Sequence, residues 1–204
     1  METWNRKEHF EFFSALDEPF FGVTIEVDVT SLYKKCKENH QSFFLRYLHS
    51  SLQVANELES FRYRINQDNK IEVHDRIDAS PTVNREDGTF GFSYMAYDPD
   101  FHEFAKNAEK EINRVRSFKG LGEPSKVSNV IHYSALPWLK FSSVSHARGF
   151  SFKDSVPKIS FGKMTLLDDN RRIMPVSIHV HHGLMDGHHV GMFVEKYQQL
   201  LSSF

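Results

Sequence analysis

The chain has 204 residues and a single cysteine, Cys36, so it can form no internal disulfide and a reducing compartment is expected. It lacks any apolar run approaching the ~18 residues of a membrane span. Its opening, METWNRKEHFEFF, has no basic-then-apolar signal sequence, and a cytoplasmic location is expected. There is no excess of positive charge either: 25 Lys and Arg against 27 Asp and Glu leave a formal charge of −2. That balance argues against a mainly electrostatic nucleic-acid binder. Internal repeats, low-complexity tracts and Pro/Ser linkers are missing, so residues 1–204 are expected to form one domain. No Gly-rich phosphate loop is present. What remains is a globular composition, 40% hydrophobic and 25% charged, with 19 Phe. So many rings can build a large core and leave some for a pocket or an interface.

Hydrophobic periodicity predicts an interleaved set of strands and helices. Phe20–Val29 alternates as a strand. Thr30–His40 and Gln41–Leu58 read as helices, the second with Phe44, Leu48, Leu52 and Ala55 on one face. Phe61–Asn66 and Lys70–His74 suggest a hairpin, and Thr82–Val83 and Thr89–Tyr97 two more strands. Asp98-Pro99 suits a helix start, followed by an apolar stripe from Phe101 to Ile112. Ser117–Asn129 reads as a loop. Strands are predicted at Val130–Ser134, Leu139–Ser143, Lys158–Leu166 and Ile173–His182, and a last helix at Gly187–Ser202. The irregular order implies an α/β fold with a mixed sheet and excludes a doubly wound dinucleotide fold.

Five of the 12 histidines fall between His179 and His189. Side chains alternate along a strand, so Val176, Ile178, Val180 and His182 share one face while His179 and His181 share the other. Three readings compete there: a His-rich strand end without chemistry, a metal site, and a general base supported by a carboxylate. Zinc wants three or four ligands converging on one point. Here the alternation sends His181 and His182 apart and Cys36 lies in an unrelated helix, so no metal is expected. A histidine at a strand end suits a general base, because imidazole exchanges protons near pH 7.

The segment His181-His182-Gly183-Leu184-Met185-Asp186-Gly187 matches the HHxxxDG motif of the coenzyme-A-dependent acyltransferase superfamily. Within that superfamily, Trp4 to Glu11 (WNRKEHFE) resembles the opening of the chloramphenicol acetyltransferases. Ser134-Ala135-Leu136-Pro137-Trp138 resembles their S-A-(L/N)-P-W segment, and Pro157 to Lys163 (PKISFGK) their P-x-x-T-x-G-K strand. The motifs stand in family order from Trp4 to the C-terminal helix.

This resemblance implies a two-layer mixed-sheet sandwich and acetyl transfer from acetyl-CoA, as co-substrate, to a hydroxyl of a small-molecule acceptor. It makes His182 the general base, with its other ring nitrogen held by its own backbone carbonyl. Ser134 becomes the hydroxyl that stabilises the tetrahedral intermediate, and Ser160 stands in for a threonine that holds a water there. Asp186 and Arg6 would pair and brace the site. Phe12, Phe13, Phe21 and His146 fall at acceptor-binding positions, and Trp138 and Lys163 border the CoA tunnel. A homotrimer is implied, its active sites at subunit interfaces, with neither nucleic acid nor membrane as partner. Around the acceptor, His132, Val144, His146, Arg148 and Lys158 depart from the family pattern. Either these side chains point elsewhere or the acceptor is more polar than chloramphenicol.

Overall fold

In the computed structural model, which describes residues 4–122, 127–149 and 154–204, the sequence periodicities resolve into two layers. In chain order the elements are α1 (Lys7–Phe13), β1 (Phe20–Asp28), α2 (Thr30–Glu38), α3 (Phe43–Glu57), α4 (Glu59–Arg62), β2 (Tyr63–Ile65), β3 (Ile71–Val73), β4 (Asp78–Asn84), β5 (Phe90–Phe92), α5 (Phe101–Ser117), β6 (Val130–Ala135), β7 (Lys158–Phe161), β8 (Thr165–Leu166), β9 (Arg172–His181) and α6 (Gly187–Ser202). One mixed sheet runs β1-β9-β7-β6-β4-β5, with β8 added against β9; β2 and β3 form a separate hairpin. The β4–β6 and β6–β7 pairs are parallel, and β9 runs antiparallel to β1 and β7.

The two layers follow from strand alternation. Val176, Ile178 and Val180 of β9 face the helices, beside their neighbours Tyr133, Ile159 and Phe161. Against them α3 lays Leu45, Leu48, Leu52 and Ala55, and α6 lays Val190, Phe193, Tyr197 and Leu201. Each such buried side chain other than Ala contributes about 1.5–3 kcal/mol. Caps set where these helices begin. Ser42 Oγ accepts from Leu45 N at 3.3 Å, and Asp100 accepts from His102 N and Glu103 N at 2.7 and 3.1 Å. The cap of α5 is therefore Asp100; Asp98, placed there by the sequence pattern, instead accepts from Asp100 N.

The other face is polar and follows the same register. One row across the sheet is His132, Lys158, His179 and Gly22; the next on that face is Ser134, Ser160, Ser177 and Thr24.

Several predicted strands differ: Phe61 and Arg62 end the helical turn α4, which leaves only Tyr63–Ile65 as strand, and Thr89–Tyr97 shortens to Phe90–Phe92. Lys158–Leu166 is interrupted at Gly162, giving β7 and β8, and Leu139–Ser143 forms no strand. The reason is a crossing: Lys163 N donates to Leu139 O at 2.7 Å, so the 139–141 stretch passes over Gly162. A Cβ at Gly162 would lie 2.8 Å from the Phe141 ring and 2.9 Å from Leu139 O. The short helix α1 is an element that periodicity does not announce.

Candidate active site

Two anchors position the turn after β9. Phe10 and Leu184 are buried together with Ile65, and Trp4 packs on this cluster. With Trp4 and Phe10 fixed, Arg6 between them is 8% exposed and reaches across the turn. Its Nη1 donates to Asp186 Oδ2 at 2.6 Å, and its Nη2 to the His182 carbonyl at 3.2 Å. Asp186 is also the N-cap of α6: its Oδ1 accepts from His188 N at 3.0 Å and lies 2.8 Å from His189 Nδ1. Burial alone would raise the Asp186 carboxyl, but the hydrogen bonds from Arg6 and His189 outweigh it and hold the group well below the usual carboxylate range. Asp186 thus serves both as the cap of α6 and as the partner of Arg6.

His182 lies just past β9, where its backbone N–H still donates to Pro19 O at 2.7 Å. Its ring stacks on Phe13 at 3.8 Å and 5°, and meets Phe21 at 4.6 Å. Phe12 touches Phe13 edge-on but is itself 65% exposed. His182 Nδ1 is buried without a hydrogen-bond partner among the described residues. Its own carbonyl, the partner implied by resemblance, is occupied by Arg6. The nitrogen left open to an incoming proton is Nε2. His181 lies against Phe20 on the opposite face, and its Nδ1 accepts from Gly183 N at 3.1 Å.

Ser134 and Ser160 are direct partners on β6 and β7. Ser160 is in register with Ser177 on β9, and His182 stands five residues further along. At roughly 3.3 Å per residue that is about 16 Å, and the side chains point to opposite faces. One chain therefore does not bring His182 to Ser134 or Ser160. Ser160 is also fully buried, its Oγ 3.4 Å from His146 Nε2.

The departures from the family pattern separate into two kinds. Lys158 and Arg148 are engaged within the chain. Lys158 is buried, ion-paired with Asp154, and its Nζ lies 4.8 Å from the Phe20 ring centre. Arg148 pairs with Glu18 at 2.6 Å and covers the same ring at 3.6 Å. Burial, with Asp154 opposing it, lowers the Lys158 ammonium.

The imidazoles remain neutral. Burial, then the Lys158 charge, pushes His132 down to about 4. Burial, then His179 and Lys158, takes His146 to about 4 as well. His179 is also lowered by burial.

Sequence reasoning missed His179 as part of this site. Its ring meets His146 edge-on at 4.9 Å, and its Nε2 lies 3.1 Å from Ser177 Oγ. Gly22 makes room for it, since a Cβ there would fall 2.4 Å from the imidazole. The signal was a glycine facing a histidine across two strands, legible only once their register is known.

Trp138 is 64% exposed and Lys163 is exposed without an ion pair among the described residues. The Lys163–Leu139 backbone bond holds the two segments together close to Ser134. An exposed cation and an exposed aromatic ring on adjoining segments fit a ligand with phosphate and apolar parts. Among the described residues no His, Cys, Asp and Glu group could hold a metal ion, and no helix is long and apolar enough to cross a membrane.

The family model described as chloramphenicol acetyltransferase matches residues 1–198. A chloramphenicol acetyltransferase of Clostridium perfringens is 29% identical, covering 98% of this chain and 96% of its own length. Chloramphenicol acetyltransferase 3 of Escherichia coli is 31% identical, covering 100% of this chain and 95% of its own. A solved chloramphenicol acetyltransferase superposes with a TM-score of 0.88 at 32% identity, covering 98% of this chain and 96% of the other.

Proposed function

The chain belongs to the chloramphenicol acetyltransferase family, and from that premise we propose that it transfers the acetyl group of acetyl-CoA to a hydroxyl of chloramphenicol, inactivating the antibiotic in the cytoplasm. The observation that carries the mechanism is the placement of His182 against Phe13 and Phe21 with Nδ1 enclosed and Nε2 open. Nε2 takes the proton of the acceptor hydroxyl as its oxygen attacks the thioester carbonyl carbon. A neutral alcohol is a poor nucleophile until that proton is leaving. Ser134 donates a hydrogen bond to the carbonyl oxygen as it becomes negative, an effect worth about 10²–10³ in rate. When the tetrahedral centre collapses the C–S bond breaks, and the proton on His182 passes to the departing thiolate. The Arg6–Asp186 pair relays no proton; it fixes the turn that aims His182. Trp138 and Lys163 would hold the coenzyme beside Ser134.

His182 lies about 16 Å along the strand direction, at roughly 3.3 Å per residue, from the row that holds Ser134, Ser160 and Ser177, two strands over from Ser134 and on the opposite face of one chain's sheet. We therefore infer that each active site joins His182 of one copy to Ser134 of another, in a homotrimer of identical interfaces. Exposed Phe12, Trp138 and Leu139 are the apolar groups such interfaces would cover.

Complementation tests this arrangement. His182→Ala and Ser134→Ala, each slowed at least about 10²-fold alone, are denatured and refolded together, and CoA thiol release with chloramphenicol is followed. Sites that take both intact residues from different copies regain activity, about one quarter of wild type for equal random mixing in a closed ring. No recovery from well-folded mixed assemblies would refute the shared site.

A second reading keeps the chemistry and changes the acceptor to another hydroxyl or thiol. The imidazoles of His146 and His179 favour it, being polar where an apolar acceptor would gain most from hydrocarbon.

A further inference from the structure

On the polar face of the sheet, the hydroxyl expected to serve the reacting centre is shut away. Ser160 is fully buried, and the imidazole of His146 lies over it, Nε2 3.4 Å from Oγ. A side chain without exposed surface cannot itself touch an acceptor. The other nitrogen of the same ring is placed differently. His146 Nδ1 has no partner among the described residues and is not enclosed.

The ring is fixed from the side by His179, edge-on at 4.9 Å. His179 is in turn held by Ser177 Oγ at 3.1 Å and seated over Gly22. The network thus has a buried end, Ser160, and an open end, His146 Nδ1.

We propose that Ser160 acts through His146: its hydroxyl donates to Nε2, which places the ring proton on Nδ1 and aims a neutral N–H donor at the acceptor side of the site. His146 is then the residue that touches the acceptor, and Ser160 a positioning residue behind it. The acceptor that matches this wall carries a hydrogen-bond-accepting oxygen near the hydroxyl that is acetylated. This deepens the acetyl-transfer reading and rests on it for the location of the acceptor.

The charge environment supports a neutral ring. His146 faces His179 from β9, Lys158 from β7, His132 from β6 and Arg148 from its own segment, and all of them, with burial, disfavour a second ring proton. An unprotonated nitrogen is what a serine hydroxyl needs in order to donate. A serine lacks the second Cβ substituent that restricts a threonine's χ1, so the imidazole also supplies orientation the side chain does not have by itself.

The experiment has two arms. In the first, ¹⁵N–¹H imidazole correlations of the full-length protein at neutral pH read the His146 tautomer. The expected result is Nδ1–H in wild type and loss of that preference in Ser160→Ala; Nε2–H in wild type overturns the proposal. In the second, initial rates with chloramphenicol are measured for Ser160→Ala, His146→Leu and the double variant. Ser160→Ala should raise KM for the acceptor about 3- to 10-fold, the size of one neutral hydrogen bond, and leave KM for acetyl-CoA unchanged. In the His146→Leu background the same substitution should have no effect. An equal loss in both backgrounds means Ser160 acts without His146 and overturns the proposal. His146→Asn keeps an amide donor, so it should stay closer to wild type than His146→Leu; the reverse order also overturns it. If wild type leaves chloramphenicol unacetylated, that acceptor assignment fails, and the tautomer arm still decides the Ser160–His146 relation.

Discussion

Removing Arg6 is the perturbation whose size the structure sets most directly. The guanidinium makes two contacts on the active-site turn, 2.6 Å to Asp186 and 3.2 Å to the His182 carbonyl. The side chains are 10% and 32% exposed, between a surface pair worth 0–1 kcal/mol and a buried pair whose breaking costs about 3–5. Arg6→Ala should therefore destabilise by about 2 kcal/mol, because Asp186 keeps His188 N and His189 as partners. Asp186→Ala loses the pair and also the cap of α6, which adds about 1 kcal/mol and brings it to about 3. The double variant should again cost about 3 kcal/mol, not 5, since the shared interaction is lost once. Activity should follow the same pattern. A turn displaced by about 1 Å moves His182 out of line and costs on the order of 10² in kcat, once in either single variant and once in the double. Urea unfolding at fixed protomer concentration and steady-state rates measure both quantities. Additive free energies and multiplying rate losses would mean that the two residues do not work as a unit. Asp186 is held below the usual carboxylate range, so its contribution is present above about pH 4 and disappears as the pH falls further toward its folded value.

His182→Ala should lower kcat by about 10⁴, the upper end of general-base effects, while acetyl-CoA still binds by calorimetry; a variant with a tenth of wild-type turnover would remove His182 from that role. Light scattering should give three times 23.8 kDa, and a fully active monomer would break the shared-site arrangement. Gly22→Ala drives a methyl into the His179 ring, so it should destabilise by about 1–3 kcal/mol and shift His179 in NMR spectra; an unchanged melting curve would show that the ring moves freely. His132 is held at about 4, below its unfolded value, so it adds stability above about pH 6.5 that is lost as the pH falls through about 4, by up to roughly 3 kcal/mol; His132→Gln should flatten that acid limb of urea stability.

Much of the local structure was legible because it depends on neighbours in the chain. The alternation Val176, Ile178, Val180 named the buried face of β9, and the stripe Phe44, Leu48, Leu52, Ala55 named that of α3, where Phe44 alone is only partly buried. The HHxxxDG segment and the opening around Arg6 carried the family resemblance and marked His182, Asp186 and Arg6 in advance. Their meeting needed the fold, since Arg6 and Asp186 lie 180 residues apart and come together only after Phe10 and Leu184 share a cluster. Register decided the rest. Whether a polar residue at 146 or 158 meets an acceptor or an internal partner depends on what lies across two or three strands. The structure turned Lys158 to Asp154 and His146 onto Ser160. Sequence also could not say that His182 and Ser134 of one chain are too far apart to act together. Strand order and direction determine that separation, through the pairing of residues distant in sequence, whereas periodicity records only which face each residue takes.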